Sequence, residues 1–262
     1  MRSISVIYIF GEKNCLYMLR TIFDHLKFQW YKYIIEVLVV ILGILIAYNL
    51  EQWSETGANK KREISMLKEF KAALSADLIE VRGNIHEHKT SIQASKILLK
   101  AIKDNLPYND SLDACFSYTH AFTEFSGRVG PIEQLKNAGL EIISNDRLRL
   151  DIISMYDEAF PRLRKVEVVI LRDYQQLRDF DRLYFEAYDI ERVSTNKSIP
   201  APFWGLMHPI RFTEIMKNPE YAALLRVRIS NQAGLLRGTY EPIEKALSYL
   251  LKKIDKELEN LE

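Results

Sequence analysis

Residues 34–50 read IIEVLVVILGILIAYNL, an apolar run in which Glu36 is the single ionisable group. As a helix these seventeen residues reach about 25 Å, close to the roughly 30 Å hydrocarbon core of a bilayer. Aromatic residues flank both ends: Trp30, Tyr31 and Tyr33 before the run, Tyr48 and Trp53 at its close. Trp30 and Trp53 are separated by about 35 Å of helix, which sets both indoles at headgroup depth. The run therefore predicts a transmembrane helix over residues 33–53. It divides the chain into a short N-terminal segment, 1–32, and a large domain, 58–262.

Within the span, Lys32 and Glu36 lie four residues apart and can reach the interface together, so the acid needs no functional role. Gly43 and Ala47 form a small-xxx-small pair, which lets two helix backbones approach and makes a homodimer through this face a candidate. Arg20, Lys27 and Lys32 lie closer to the lipid than Lys60, Lys61 and Arg62. That bias places the N-terminus in the cytoplasm and the large domain on the periplasmic side of a bacterial inner membrane, anchored by one pass. Ile4–Phe10 is too short and too poorly flanked for a cleavable signal. Met18 opens a more ordinary membrane leader, so the expected start of the chain is Met18.

Lys and Arg number 36 against 35 Asp and Glu, a balance that argues against a nucleic-acid partner. With 48% apolar residues the chain is far from a disordered composition. The two cysteines, Cys15 and Cys115, fall on opposite sides of the span and cannot pair within one chain. Cys115 reads as a small buried apolar residue.

Beyond the membrane, apolar residues recur every three or four positions in three long stretches. The first runs Leu67, Phe70, Leu74, Leu78, Val81, Ile85, Ile92, Leu99 and Ile102, with His88 and Ser95 filling the same stripe. The second runs from Leu148 to Tyr184 and the third from Tyr221 to Leu261. Their coiled-coil-like period and charged intervening positions predict an all-α fold, an antiparallel bundle of three long helices. Asn105 before Pro107 ends the first helix, Asn145 caps the second, and Asn218 caps the third with Pro219 at its first position. Two short helices are expected between the first and second, over Ser111–Phe122 and Ile132–Ala138, the latter closing on Gly139 in a left-handed C-cap. Pro161 and Pro242 should kink the second and third helices, and Gly57 marks a flexible point after the span.

The stretches EVLVVILGILIAYNLEQW (36–53), SMLKEFKAALSADL (65–78) and IEQLKNAGLEIISNDRLRLDIISMYDEA (132–159) resemble an uncharacterised family of bacterial single-span membrane proteins, a domain of unknown function. Asn49, Trp53, Leu135, Gly139, Ile143, Asn145, Leu148 and Tyr156 occupy its recurring places. The chain departs from the pattern by an inserted Leu42 and by Asp157 in place of a second tyrosine. The resemblance implies an N-terminal span and a helical C-terminal domain, with no chemistry attached.

No constellation demands a reaction. His86 and His88 with Glu87 could suggest a metal site, but the two imidazoles point about 200° apart on a helix and cannot share an ion. His120 and Glu124 are better spaced but lack a third ligand. No nucleophile elbow or phosphate loop is present. The aromatic residues Phe180, Tyr184, Phe185 and Tyr188, followed by Phe203 and Trp204, are more numerous than the end of a bundle needs. The Pro-rich loop 194–208 is thus a candidate apolar pocket or partner surface through Phe203 and Trp204. The leading expectation is a membrane-anchored, non-enzymatic helical module without cofactor or metal, binding a protein partner or small ligand. The alternative is a membrane-bound hydrolase or metal-dependent enzyme with a site near His120 and the 194–208 loop.

Overall fold

The computed structural model describes residues 7–262, with side chains from residue 30 onward except that of residue 173. The readings of Ile4–Phe10, Cys15 and the Met18 start rest on residues outside that fully described part. The fold is all-α: among the described residues, extended pairing is confined to two isolated bridges, Phe185 with Pro209 and Asp189 with Leu206. The chain divides into two units, Met1–Lys60 and Lys61–Glu262.

Helix α1 (Ile7–Lys103) contains the apolar run. An 18-residue window in it has a mean hydropathy of 2.3, and none of that window is buried. It is the one helix among the described residues long and apolar enough to cross a membrane. Gly57, the expected flexible point, is helical. A Cβ at Gly43 would meet nothing within 4 Å, and Ala47 is exposed.

In the second unit α1 ends where expected, by a specific device. Asn105 adopts a left-handed φ of 48°. Its amide then bonds to Ile102 O, and that of Leu106 to Ala101 O, the paired bonds of a Schellman C-cap. Helix α2 (Ser111–Tyr118) is shorter than expected, because the chain leaves the helix at Thr119 to thread beneath α1. Helix α3 (Gly130–Ala138) has Pro131 in its first turn. Gly139 closes it at φ 106° and ψ 129°, a positive-φ cap but with extended ψ, so the left-handed C-cap is corrected to a sharper exit.

The second long rod comprises α4 (Asp146–Ser154), a π turn (Met155–Ala159) and α5 (Phe160–Tyr184). A short helix, α6 (Phe212–Met216), precedes the third rod: α7 (Pro219–Leu235), a second π turn (Leu236–Tyr240) and α8 (Glu241–Leu261). Asn145 caps α4 by accepting from Leu148 N, and Asn218 caps α7 by accepting from Glu220 N and Tyr221 N. The interruptions expected at Pro161 and Pro242 are these π turns, lying just upstream of each proline. In both, the amide of the residue before proline bonds five residues back: Phe160 N to Met155 O, Glu241 N to Leu236 O. Proline then enters in the first turn of the following helix, where no donor is required.

Cross-links fix the directions of the rods. On α1 and α8, Lys68 pairs with Glu262, Lys71 with Asp255, Arg82 with Glu244 and Lys89 with Glu241. One number rises as the other falls, so the helices are antiparallel. Asn145 with Glu257 and Asp151 with Lys253 set α4 antiparallel to α8. These exposed pairs report direction and register more than stability.

Two apolar clusters form the core. One takes Leu67 to Ile85 of α1, Leu148 to Ile170 of the second rod and Leu235 to Leu258 of the third. The other takes Ala94, Leu98 and Ala101 of α1, α2, and Leu177 with Leu225. Between them on α1 lie His88, Thr90, Ser91 and Ser95, all buried. At the matching level of α7 lie buried Arg228 and Gln232. A polar layer thus separates two hydrophobic cores, and the functional geometry is built there.

Candidate functional site

The polar layer is held by a chain of hydrogen bonds. His88 Nε2 is 2.8 Å from Thr123 Oγ1, which lies 3.5 Å from the Tyr240 hydroxyl. Tyr240 in turn donates to Glu167 Oε1 and accepts from Asn84 Nδ2 at 3.1 Å. Glu167 also receives Phe125 N at 3.2 Å, and Arg228 donates to the carbonyl oxygen of Ala121. These bonds tie α1, the segment after α2, α5 and the second π turn together. Burial, reinforced by the nearby Arg228 charge, pushes His88 down to about 4, so it is neutral at physiological pH. Burial also raises the Glu167 carboxyl above its usual range, against the bond from Tyr240.

His120 sits beside this layer with its side chain 1% exposed. Its Nε2 is 2.7 Å from Asp181 Oδ1, while Nδ1 lies 3.0 Å from Thr119 Oγ1 and 3.1 Å from Phe116 O. Thr119 gives its own hydroxyl hydrogen to Phe116 O at 2.6 Å. Nδ1 thus faces oxygen atoms of its own segment, whereas Nε2 and Asp181 Oδ1 lie close without being aligned as a hydrogen bond. The expected pairing with Glu124 is corrected to Asp181: residue 120 is past the end of α2, so the four-residue helical spacing does not operate. Glu124 is exposed. Among the described residues no group of three His, Cys, Asp or Glu is placed to hold a metal ion. Cys115 is buried and free, its thiol pushed up to about 12 by burial and the Asp113 charge.

A pocket of about 480 Å³ opens at the level of the polar layer. Asn84, Glu87, His120 and Thr123 supply its polar lining. Phe122, Tyr174, Tyr188, Phe203 and Trp204 supply aromatic surface. Its size is within the range of small-ligand sites. Phe203 is 92% exposed and marks the mouth; Trp204 is half-buried, packed edge-on against Tyr118 at 5.7 Å and Phe203 at 4.9 Å. Tyr174 is already covered, by Phe122 at 5.8 Å and by the Arg178 guanidinium at 5.9 Å.

The loop from Phe185 to Arg211 brings Trp204 and Tyr188 here. Asp189 N donates to Leu206 O at 2.9 Å and Leu206 N to Asp189 O at 2.8 Å. Gly205 makes this approach feasible, since at φ 99° a Cβ would lie 2.7 Å from the Asp189 carbonyl carbon and oxygen. A second anchor is Asp113, buried on α2, which accepts from Tyr108 Oη at 3.0 Å and pairs with Arg192 at 3.1 Å and His208 at 3.3 Å.

Three side-chain atoms of residues lining the pocket are buried and have no hydrogen-bond partner among the described residues: Glu87 Oε2, Trp204 Nε1 and His120 Nε2. Burial raises the Glu87 carboxyl above the usual range, with His86 opposing. Native proteins satisfy nearly all such groups, so an acceptor and a donor left together in one aromatic pocket point to a ligand.

Of the residues the sequence singled out, Phe203 and Trp204 both line this pocket. Tyr188 joins them, whereas Phe180, Tyr184 and Phe185 stack inward on Tyr221, Phe180 and Phe116. His86 is exposed and His88 buried, facing apart as their spacing requires. Gly43 and Ala47 lie in the other unit. Sequence reasoning missed Asp181 and Glu167 and met Glu87 only beside His86 and His88 as a metal candidate: each is one acid among many on charged helices. For Glu87 its place one step off the stripe was the sole available signal.

The model of a family of unknown function (DUF6090) matches residues 36–181, more than half of the chain. The match takes in Glu87, His120, Phe122, Thr123 and Tyr174 and ends before Tyr188, Phe203 and Trp204. No curated protein and no solved structure matches.

Proposed function

The chain belongs to this family of unknown function, and from that membership and the pocket's geometry we propose that it is a membrane-anchored, non-enzymatic helical module that binds a small ligand. The apolar run of α1 holds it in a bacterial cytoplasmic membrane, N-terminus inside, with the 61–262 unit on the periplasmic side. The observation that carries the ligand reading is the pairing of Glu87 Oε2 with Trp204 Nε1, both buried and unpartnered in an aromatic pocket of about 480 Å³.

The test is ligand-observed NMR on the full chain in lipid nanodiscs, using a set of small aromatic alcohols and amines. Saturable binding is expected, and it should be lost when Trp204 and Tyr188 are both replaced by Ala. If every saturable binder is indifferent to that double change, or if none is found, the pocket is not a ligand site.

A further inference from the structure

The character of the pocket narrows the ligand, and this step rests on the ligand-binding reading just given. We propose that the ligand is an organic ammonium with an apolar body: its cationic head lies against Glu87 and its body among Phe122, Tyr188 and Trp204.

Three observations converge on that chemistry. Glu87 Oε2 is an acceptor with no donor offered to it by the chain. Leaving the buried oxygen of a half-buried carboxylate unpaired is costly, and an N–H-bearing cation is the partner that offsets most of that cost, by charge and hydrogen bond together. The walls are aromatic, and the faces of Trp and Tyr attract cations that have shed water. One wall residue already does so within the chain, since the Arg178 guanidinium stands 5.9 Å over Tyr174. That contact occupies Tyr174 and leaves Tyr188 and Trp204 for the ligand. Trp204 Nε1, also unpartnered, would take an oxygen acceptor on the same molecule. The burial that raises the Glu87 carboxyl also makes a bound cation more effective, because few waters compete with it.

The positive groups near the site have other places. Arg228 bonds to Ala121 O beneath the polar layer, and His86 is exposed. Asp181 does not line the pocket; its Oδ1 lies 2.7 Å from His120 Nε2. Glu87 is therefore the carboxylate that reads the ligand's charge.

The experiment is isothermal titration of the full chain in lipid nanodiscs, with empty nanodiscs subtracted. The probes are 2-phenylethylammonium and its neutral counterpart 2-phenylethanol. The ammonium is expected to bind about tenfold or more tighter than the alcohol, the scale of one charge-assisted contact. Glu87→Gln, which keeps the shape, should bring the two probes within about threefold of each other. Trp204→Phe, which keeps the apolar volume, should weaken both probes alike. Retention of the wild-type melting temperature shows that each variant is folded; should Glu87→Gln fail this, Glu87→Met, which also removes the charge, is read for the same narrowing. If both probes bind saturably and equally, the pocket is a ligand site but the cation assignment is wrong. If the ammonium's advantage survives Glu87→Gln in a folded protein, the assignment to Glu87 is wrong. If neither probe binds, both this inference and the ligand-binding reading fall.

Discussion

Tyr240 gives its phenolic hydrogen to Oε1 of Glu167, a bond between two buried residues 73 positions apart in sequence. It joins the second π turn to α5 in the middle of the polar layer, where each group depends on its neighbour for satisfaction. Such networks contribute specificity only when complete, since a half-satisfied buried group costs more than the bond was worth.

Removing the hydroxyl should expose that asymmetry. Tyr240→Phe strips a donor from Glu167 and an acceptor from Asn84, and is expected to destabilise the 61–262 unit by about 2–3 kcal/mol. Adding Glu167→Gln to it should cost little more, because the carboxylate is then no longer stranded. Urea denaturation followed by circular dichroism measures both; strictly additive losses would contradict a coupled pair.

His88 makes stability depend on pH in a definite direction. Its folded value, about 4, lies below the ordinary 6.5. As pH falls through 6.5 the unfolded chain takes up a proton that the folded chain refuses until about 4. Stability from this residue is therefore full above 6.5 and lost on the way down to 4, by about 3 kcal/mol. Asp77, Asp113 and Glu167, all raised by burial, work in the opposite sense. The comparison is accordingly with His88→Gln: between pH 7 and 4 the wild type should lose about 3 kcal/mol more than the variant. Parallel curves for the two proteins would exclude a buried neutral imidazole.

Gly205→Ala should open the loop. The new methyl would press on the Asp189 carbonyl, and φ 99° is itself unfavourable for alanine. A loss of about 2 kcal/mol is expected, with faster proteolysis between residues 189 and 206 and a change in Trp204 fluorescence. An unchanged proteolytic pattern would mean that the Asp189–Leu206 bridge is not maintained in solution.

In the N-terminal unit, Gly43→Ile tests association directly. Nothing lies within 4 Å of that position, so the larger side chain disturbs no contact of the chain's own. If Gly43 and Ala47 form a dimer face, cross-linked dimers in membranes should fall at least severalfold in the variant. Equal cross-linking would remove this face from consideration.

Anchoring itself is checked by alkaline carbonate extraction. The full chain should stay in the membrane pellet, and Leu42→Lys with Leu45→Lys should release it, each lysine costing about 2.5–3.5 kcal/mol at the centre of a span. Release of the unaltered chain would refute a spanning helix.

Periodicity carried most of the architecture, because burying one face of a helix forces the 3.6-residue rhythm of Leu67 to Ile85 or Ile243 to Leu258. Caps at Asn145 and Asn218 were legible for a local reason, since Asn accepts from the first turn whatever surrounds it. His88 and Ser95 were visible as polar interruptions of the first stripe, yet the layer they belong to was not, for its other members, Thr123, Arg228 and Tyr240, come from distant segments. The pocket was half legible. Phe203 and Trp204 stood out as aromatic residues in a Pro-rich loop, whereas Glu87 becomes special only through burial, which depends on the tertiary fold.

The two π turns also make helix phase a property that single-residue changes can reset. Each wide turn accommodates one residue more than a regular α-helix would. Excising Gly238 would let α7 and α8 fuse in ordinary α geometry with every downstream face kept, whereas tightening the turn with Gly238 retained would swing everything downstream by about 100° around the axis. Ile243, Leu247, Leu250 and Ile254, now buried, would in that second case turn toward water while charged neighbours rotated inward. The sequence of α8 is thus written for a helix one step out of phase with α7, and the extra residue is what reconciles them.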